Sequence, residues 1–320
     1  RNYYLVIYLT IKIKIMTKFD YDLVIIGAWS AGYPTGMYAS RYKIKNLIIW
    51  GQPGGALATS HKVENYPGTI SASGKEIMDN FKDHAVGAGS EILEEMVTEL
   101  TKHDTHFHIK TSSGKEFTSK YVVLATGNNY RHLGAKGEEE MLGKWVSYCA
   151  TCDGMFFKGR DVVLVGGWNT ALTEALYLAE ICNKVYIVHR RDTFRAEDIW
   201  VEQAKKIENI EFVLNEEVDE ISGKFFVEEV KLKSGKVLKA DGIFVAVGSD
   251  ANTTLVDHMN PEKDDEGCLV VDARQETTIP GLFAAGDVTT NSNKFKQTIM
   301  SAAEGCLAAD SIHEEILRGE

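Results

Sequence analysis

Residues 25–32 read IIGAWSAG, and both flanks of that turn have the pattern of a nucleotide-binding strand-turn-helix unit. Tyr21 to Ile26 is a short apolar run of the kind a buried parallel strand shows, and Ser30 to Arg41 reads as a helix that begins directly after the turn. Residues 161–180, DVVLVGGWNTALTEALYLAE, repeat the arrangement: a Val/Leu strand, a glycine turn, then a helix with apolar residues at helical spacing. Two dinucleotide-type modules in one chain predict an α/β protein with two nucleotides.

After the second unit comes NKVYIVHRRD, residues 183–192, a strand whose end lies about 20 residues past the turn, where such folds read the ribose. An NAD site would place Asp or Glu there. Here stand His189, Arg190 and Arg191, with Arg195 one helical turn later. Guanidinium forks grip a 2′-phosphate bidentately, so the second nucleotide is expected to be NADPH. GIFVAVGSDANTTLV (242–256), GLFAAGDVTT (281–290) and YVVLATGNN (121–129) are further strand-plus-turn signals, and Asp287 beside Gly286 can direct a carboxylate at a sugar-chain hydroxyl.

With 320 residues, 44% hydrophobic and 25% charged, the chain has room for two domains with a core each. The net charge of -11 carries no basic stripe, which argues against nucleic acid or an anionic membrane as partner. No stretch approaches the ~20 apolar residues of a membrane helix, and no small-residue cleavage site follows RNYYLVIYLTIKIKI (1–15), so no secretion signal is expected and the location is cytoplasmic. Met16 is read as the start and residues 1–15 as upstream sequence, a disordered tail being the alternative.

Of five cysteines only Cys149 and Cys152 are close. C-x-x-C points to a catalytic redox pair in a reducing compartment, or to half a metal site. A zinc site would want a second C-x-x-C or a suitably spaced His pair; neither appears, and no metal is expected. Cys182, Cys268 and Cys306 are read as small buried hydrophobes.

Taken in order, these stretches resemble the low-molecular-weight thioredoxin reductases over essentially all of residues 16–320. The carriers are the turn at 27–32, GG at 54–55 with VENYPG at 63–68, ATG at 125–127, VSYCATCDG at 146–154, GGWNTALTEALYLA at 166–179, HRRDTFRAE at 189–197, and GLFAAGDV with KQTIMSAAEGCLAA within 281–309. The resemblance implies two Rossmann-like domains of three ββα layers. Residues 16–130 and 259–320 would form the FAD domain, and 131–258 an inserted NADPH domain carrying the cysteines, with 1–15 outside both. It also implies a homodimer whose domains rotate, so that nicotinamide and the cysteine pair take turns at the flavin.

By the same resemblance FAD is held by Gly27, Trp29, Ser30, Ala31, Gly32, Gly54, Gly55, Asn65, Thr126, Gly127, Gly286, Asp287, Lys296 and Gln297. NADPH is held by Gly166, Gly167, Trp168, Asn169, Thr170, His189, Arg190, Arg191 and Arg195. Hydride passes from NADPH to the flavin, and two electrons then pass through Cys149 and Cys152 to thioredoxin or a thioredoxin-like protein. Cys152 would face the flavin, Cys149 form the mixed disulfide, and Asp153 act as acid-base residue; a plain turn role for Asp153 is compatible with that. Met155, Phe156 and Phe157 are either a docking patch or a core strand. Lys296 replaces the family's usual Arg and Ala56 its usual Gln, which alters details of flavin contact.

Trp29, Trp50, Trp145 and Trp168 all fall where the family pattern has glycine. In a dinucleotide turn the second glycine lets the pyrophosphate approach bare backbone, and an indole there would occupy the phosphate's space. The economical expectation is that these codons are UGA, decoded as glycine by the source organism and written as tryptophan. Trp200 would then be glycine too, although a helix-interior Gly costs ~1 kcal/mol relative to Ala. The rival is a cofactor-less scaffold with genuine tryptophans. A third reading is a reductase of a peroxiredoxin partner, a group that normally has an extra N-terminal thiol domain. Flavodoxin and ferredoxin reductases are disfavoured because they lack the C-x-x-C.

Overall fold

The computed structural model describes residues 19–51, 55–58, 60 and 62–319. Met16, residues 1–15 and Gly54 therefore lie outside the described residues. The chain forms two compact units, one from Arg1–Gly55, Met78–Gly127 and Ala251–Glu320, the other from Ala56–Ile77 and Asn128–Asp250.

In the first unit, strand β1 (Tyr21–Ile26) runs through the turn into helix α1 (Trp29–Arg41). β1 lies between Asn46–Ile49 and Glu116–Leu124, parallel to both, with Ile25 level with Ile48 and Val123. Glu91–Leu93 extends the sheet on one side, and Leu282–Ala284 joins the end of Glu116–Leu124 on the other. The first half of Glu116–Leu124 instead begins an antiparallel meander with Phe107–Thr111 and Val97–Lys102. Alternation sends Leu23 and Ile25 towards Ala31, Ala39 and Ile312, and Val24 and Ile26 towards Leu100, Ile109 and Val256. β1 is thus apolar on both faces, as a covered parallel strand must be.

The C-terminal helix Thr298–Arg318 crosses α1 where a Cβ on Gly305 would lie 2.3 Å from the Ala31 carbonyl oxygen. Only glycine permits that approach. Cys182 and Cys268 are buried as expected, whereas Cys306 is half-buried, because it sits on the flank of this helix beside the inward Glu304–Gly305 stripe.

The second unit repeats the plan. β2 (Asp161–Gly166) is central, parallel to β3 (Lys184–His189) and to Gly242–Ala246, with Ile210–Leu214 and Val146–Ser147 at the edges. Helix α2 (Asn169–Ile181) follows β2 and covers one face through Ala171, Leu172, Ala175 and Leu178. A three-stranded antiparallel sheet, Val218–Ser222, Glu229–Leu232 and Val237–Lys239, contributes to the other face. Both units therefore carry the expected Rossmann-like α/β pattern, with the Gly27 and Gly166 turns at the carboxyl ends of central strands, where such sheets bind ligands.

Candidate active site

Edge strand Val146–Ser147 leads into Cys149, the N-cap of the short helix Ala150–Asp153. Cys149 and Cys152 are joined as a disulfide, their Cα atoms 5.3 Å apart. The Ser147 hydroxyl donates to Asp153 Oδ2 at 2.6 Å and accepts the Cys149 N–H at 3.1 Å. Burial pushes the Asp153 carboxyl above the usual carboxylate range, and the bond from Ser147 pulls it back. Glycine follows for a packing reason: a Cβ on Gly154 would lie 2.9 Å from the Tyr177 ring, so the redox helix sits flush on α2. Of the three apolar residues beyond, Met155 is exposed, Phe156 half-buried and Phe157 fully buried, in a 3-10 turn rather than a strand.

In the same unit a cavity of about 310 Å³ is lined by Gly166, Gly167, Trp168, His189, Arg190, Arg191 and Arg195. Three guanidinium groups at one wall suit a phosphate ester. Asn169 and Thr170 head α2, and Asn169 ties that turn to the arginine segment by exchanging bonds with Glu197: its Nδ2 donates to Glu197 Oε1 at 2.9 Å and its Oδ1 accepts the Glu197 N–H at 2.8 Å. His189 presses on Gly167, where a Cβ would lie 2.1 Å from its ring, and its Nε2 meets the Thr193 carbonyl at 3.1 Å. Burial lowers its pKa, the Thr193 carbonyl opposes this, and Arg190 and Arg191 add to the lowering.

In the first unit Gly27 (φ +98°) lies so close that a Cβ would be 2.2 Å from the Ala125 carbonyl oxygen, and one on Gly32 would be 2.0 Å from the Gly27 oxygen. Ser30 and Ala31 form the first turn of α1. Gly286 (φ +83°) sits over Ala31, and its N–H donates to Glu304 at 2.7 Å. Asp287 is held up by burial, while the Lys296 charge opposes this. Gln297 precedes the first turn of the C-terminal helix. Thr126 donates to the Asn252 carbonyl at 2.7 Å beside Gly127 (φ +64°). Gly27, Ala31, Gly32, Gly286 and Asp287 are thereby gathered where two helices begin, while Gly55 faces Trp29 and Asn65 belongs to the second unit.

The tryptophans fit this frame badly. Trp29 (φ +51°) and Trp145 (φ +81°) hold left-handed backbone that glycine adopts freely and bulky residues rarely do. The Trp29 ring packs 5.1 Å from that of Trp50 and lies against Gly55, while Trp50 Nε1 is buried without a hydrogen-bond partner. Trp168 is 59% exposed and lies beneath Arg195, whose guanidinium carbon is 5.4 Å from its ring centre. Trp200 sits half-buried in an ordinary helix, and nothing in the structure marks it. The cradle at Gly27, Gly32 and Gly286 fits a dinucleotide; the Trp29 indole, filling the space between that turn and Gly55, does not.

Sequence reasoning missed Ser147, Glu304 and Glu138. Glu138 is 2% exposed and accepts the Leu133 N–H at 3.0 Å, the Gly134 N–H at 2.8 Å and the Tyr148 hydroxyl at 2.8 Å, bracing the loop behind Arg131 and His132 of the cavity wall. Asp264, Glu266 and Cys268 bring ligand atoms within 4.8 Å of one another, but Asp264 Oδ1 already takes the N–H groups of Glu266 and Cys268, which closes a turn.

Residues 21–305 match the family described as pyridine nucleotide-disulphide oxidoreductase. The thioredoxin reductase of Helicobacter pylori is 38% identical over 304 residues, covering 91% of this chain and 97% of its own. That of Treponema pallidum is 39% identical, covering 91% and 95%. Among solved structures, the thioredoxin reductase of Streptococcus pyogenes superposes with a TM-score of 0.87 at 33% identity, over 93% of this chain and 98% of that one.

Proposed function

The chain belongs to the pyridine nucleotide-disulphide oxidoreductases, and from that premise we propose that it uses NADPH to reduce the disulfide of thioredoxin or a thioredoxin-like protein. The observation that carries the reading is the Cys149–Cys152 disulfide with Ser147 and Asp153 hydrogen-bonded beside it. FAD and NADPH, the family's cofactors, supply the two-electron chemistry when bound. Gly166, Gly167 and the arginines would hold NADPH, and Gly27, Gly32, Gly286 and Asp287 the flavin.

Two electrons break the Cys149–Cys152 bond, leaving one thiol and one thiolate after uptake of a proton. The Cys149 thiolate attacks the partner disulfide, and the partner's first sulfur leaves as thiolate and takes a proton. Cys152 then attacks the mixed disulfide, restoring the Cys149–Cys152 bond and releasing the partner dithiol. Asp153, its carboxyl raised by burial and oriented by Ser147, donates and recovers the proton at the sulfurs.

The working protein in this reading has glycine at 29, 50, 145, 168 and 200, the codons being UGA decoded as glycine. The left-handed backbone at Trp29 and Trp145, the orphaned Trp50 Nε1 and the indole in the nucleotide cavity support it. The resemblance to thioredoxin reductases supports a homodimer. A reducing, cytoplasmic setting is supported by the lone C-x-x-C, and among the described residues no helix is long and apolar enough to cross a membrane.

The test is NADPH-dependent reduction of a thioredoxin by the five-glycine chain and its C149S and C152S forms. Loss of turnover by about 10³-fold or more in both is expected, since each removes a covalent step. Retained turnover in either contradicts the reading.

A further inference from the structure

Tyr148 and Cys149 form a short bridge between buried points. Val146 and Ser147 before it are buried at the sheet edge, Ala150 after it is fully buried, and the two bridging residues are half-buried. The side chain of Tyr148 ties this bridge to a distant part of the same unit. Its hydroxyl lies 2.8 Å from Glu138 Oε1 and 3.0 Å from His132 Nδ1, and its ring stacks on that of Tyr130 with centres 5.1 Å apart. Glu138 already accepts two backbone N–H groups, so the single phenol proton goes to its carboxylate and His132 donates its Nδ1–H to the phenol oxygen.

Glu138 is 2% exposed, and the donors converging on it are the Tyr148 hydroxyl, the Leu133 N–H at 3.0 Å and the Gly134 N–H at 2.8 Å. The two backbone groups can only donate, so an amide in place of the carboxyl would turn its NH2 towards a donor. Arg131, His132 and Leu133, on the loop this carboxylate holds, line the nucleotide cavity. One buried side chain thus braces both the cavity wall and the residue next to Cys149, and the scheme above gives it no part.

We propose that Glu138 is a positioning residue of the disulfide reaction: through the Tyr148 hydroxyl it holds the chain beside Cys149, so that in the reduced pair the two sulfurs stay close and the disulfide re-forms readily. Closing a disulfide within one chain is favoured by the effective concentration of one thiol at the other, which falls when the backbone of either is loosened. Cutting the tether therefore makes the Cys149–Cys152 bond easier to reduce. The inference rests on the redox role of these two cysteines, though not on which protein they reduce.

The test equilibrates the full chain, E138Q, Y148F and the double variant with dithiothreitol buffers at one fixed pH. Two electrons and two protons pass from the probe dithiol to the Cys149–Cys152 bond, which opens to two thiols while the probe closes its own disulfide. The reduced fraction is read by thiol alkylation and mass spectrometry. Y148F raises the equilibrium constant for reduction about tenfold, the change that loss of one charge-assisted hydrogen bond corresponds to, and E138Q raises it at least as far. The double variant exceeds the larger single effect by no more than about twofold, because both changes cut the same bond. Constants within about twofold of the unsubstituted chain overturn the proposal, even where the urea midpoint falls, since Glu138 then only supports the fold. Factors that multiply in the double variant overturn it too, because Glu138 would then act by a route other than Tyr148. Y148F removes a single oxygen, so should E138Q not fold it decides the matter alone, by the same two outcomes. Failure to reduce thioredoxin would sink the function above while leaving this result standing.

Discussion

Ser147 stands between Asp153 and Cys149, donating its hydroxyl to the carboxylate at 2.6 Å while accepting the Cys149 N–H at 3.1 Å. One side chain thus joins the Asp153 carboxyl to the backbone of Cys149.

Removing that link has a signed consequence. In S147A the one influence lowering the Asp153 carboxyl is gone, so its pKa moves further up. The limb of the pH–rate profile for thiol–disulfide exchange that Asp153 controls moves to higher pH, and D153N slows exchange by about 10²-fold and loses that limb. Stopped-flow exchange with a small aromatic disulfide between pH 5 and 9 checks both.

The same burial affects folding stability. A carboxyl whose folded pKa is raised contributes stability at low pH that is lost as pH rises through the folded value. Asn does not titrate, so D153N gains on the unsubstituted chain between pH 4, near the free carboxyl's value, and pH 8. Urea melts at the two pH values measure this, and a difference independent of pH contradicts it.

The cavity wall makes a prediction about coenzyme choice. With NADPH held as proposed, replacing Arg191 and Arg195 by Ala would remove two charges from the wall facing its 2′-phosphate, so KM for NADPH rises about 10- to 100-fold while that for NADH barely moves. Steady-state kinetics of the five-glycine chain with each coenzyme decides it.

Gly305 tests the helix crossing in the first unit. A Cβ there would meet the Ala31 carbonyl oxygen at 2.3 Å, so G305A costs about 1–3 kcal/mol, as overpacking typically does. Denaturant unfolding reports it, and an unchanged midpoint contradicts the packing.

β1, β2 and their glycine turns were legible because an unbroken apolar run followed by glycine has few other structural meanings. The arginine cluster was legible because HRRDTFR packs its charges into one loop. Ser147 was not, since a serine two residues before Cys149 shows its role only once the strand-to-helix turn brings Asp153 back to its hydroxyl. The antiparallel sheet Val218–Lys239 was also missed, its strands being only three to five residues long, too short for their alternation to stand out. Met155 to Phe157 left two readings open; the stretch is a 3-10 turn and not a strand, with Met155 exposed and Phe157 buried.

The most direct test is an anaerobic NADPH titration, following flavin absorption, of two preparations side by side: the chain as written, and the chain with glycine at 29, 50, 145, 168 and 200. The account predicts that only the glycine form retains FAD and that NADPH bleaches it well before NADH does. Flavin binding and bleaching in the written chain, or no flavin in the glycine form, would contradict it.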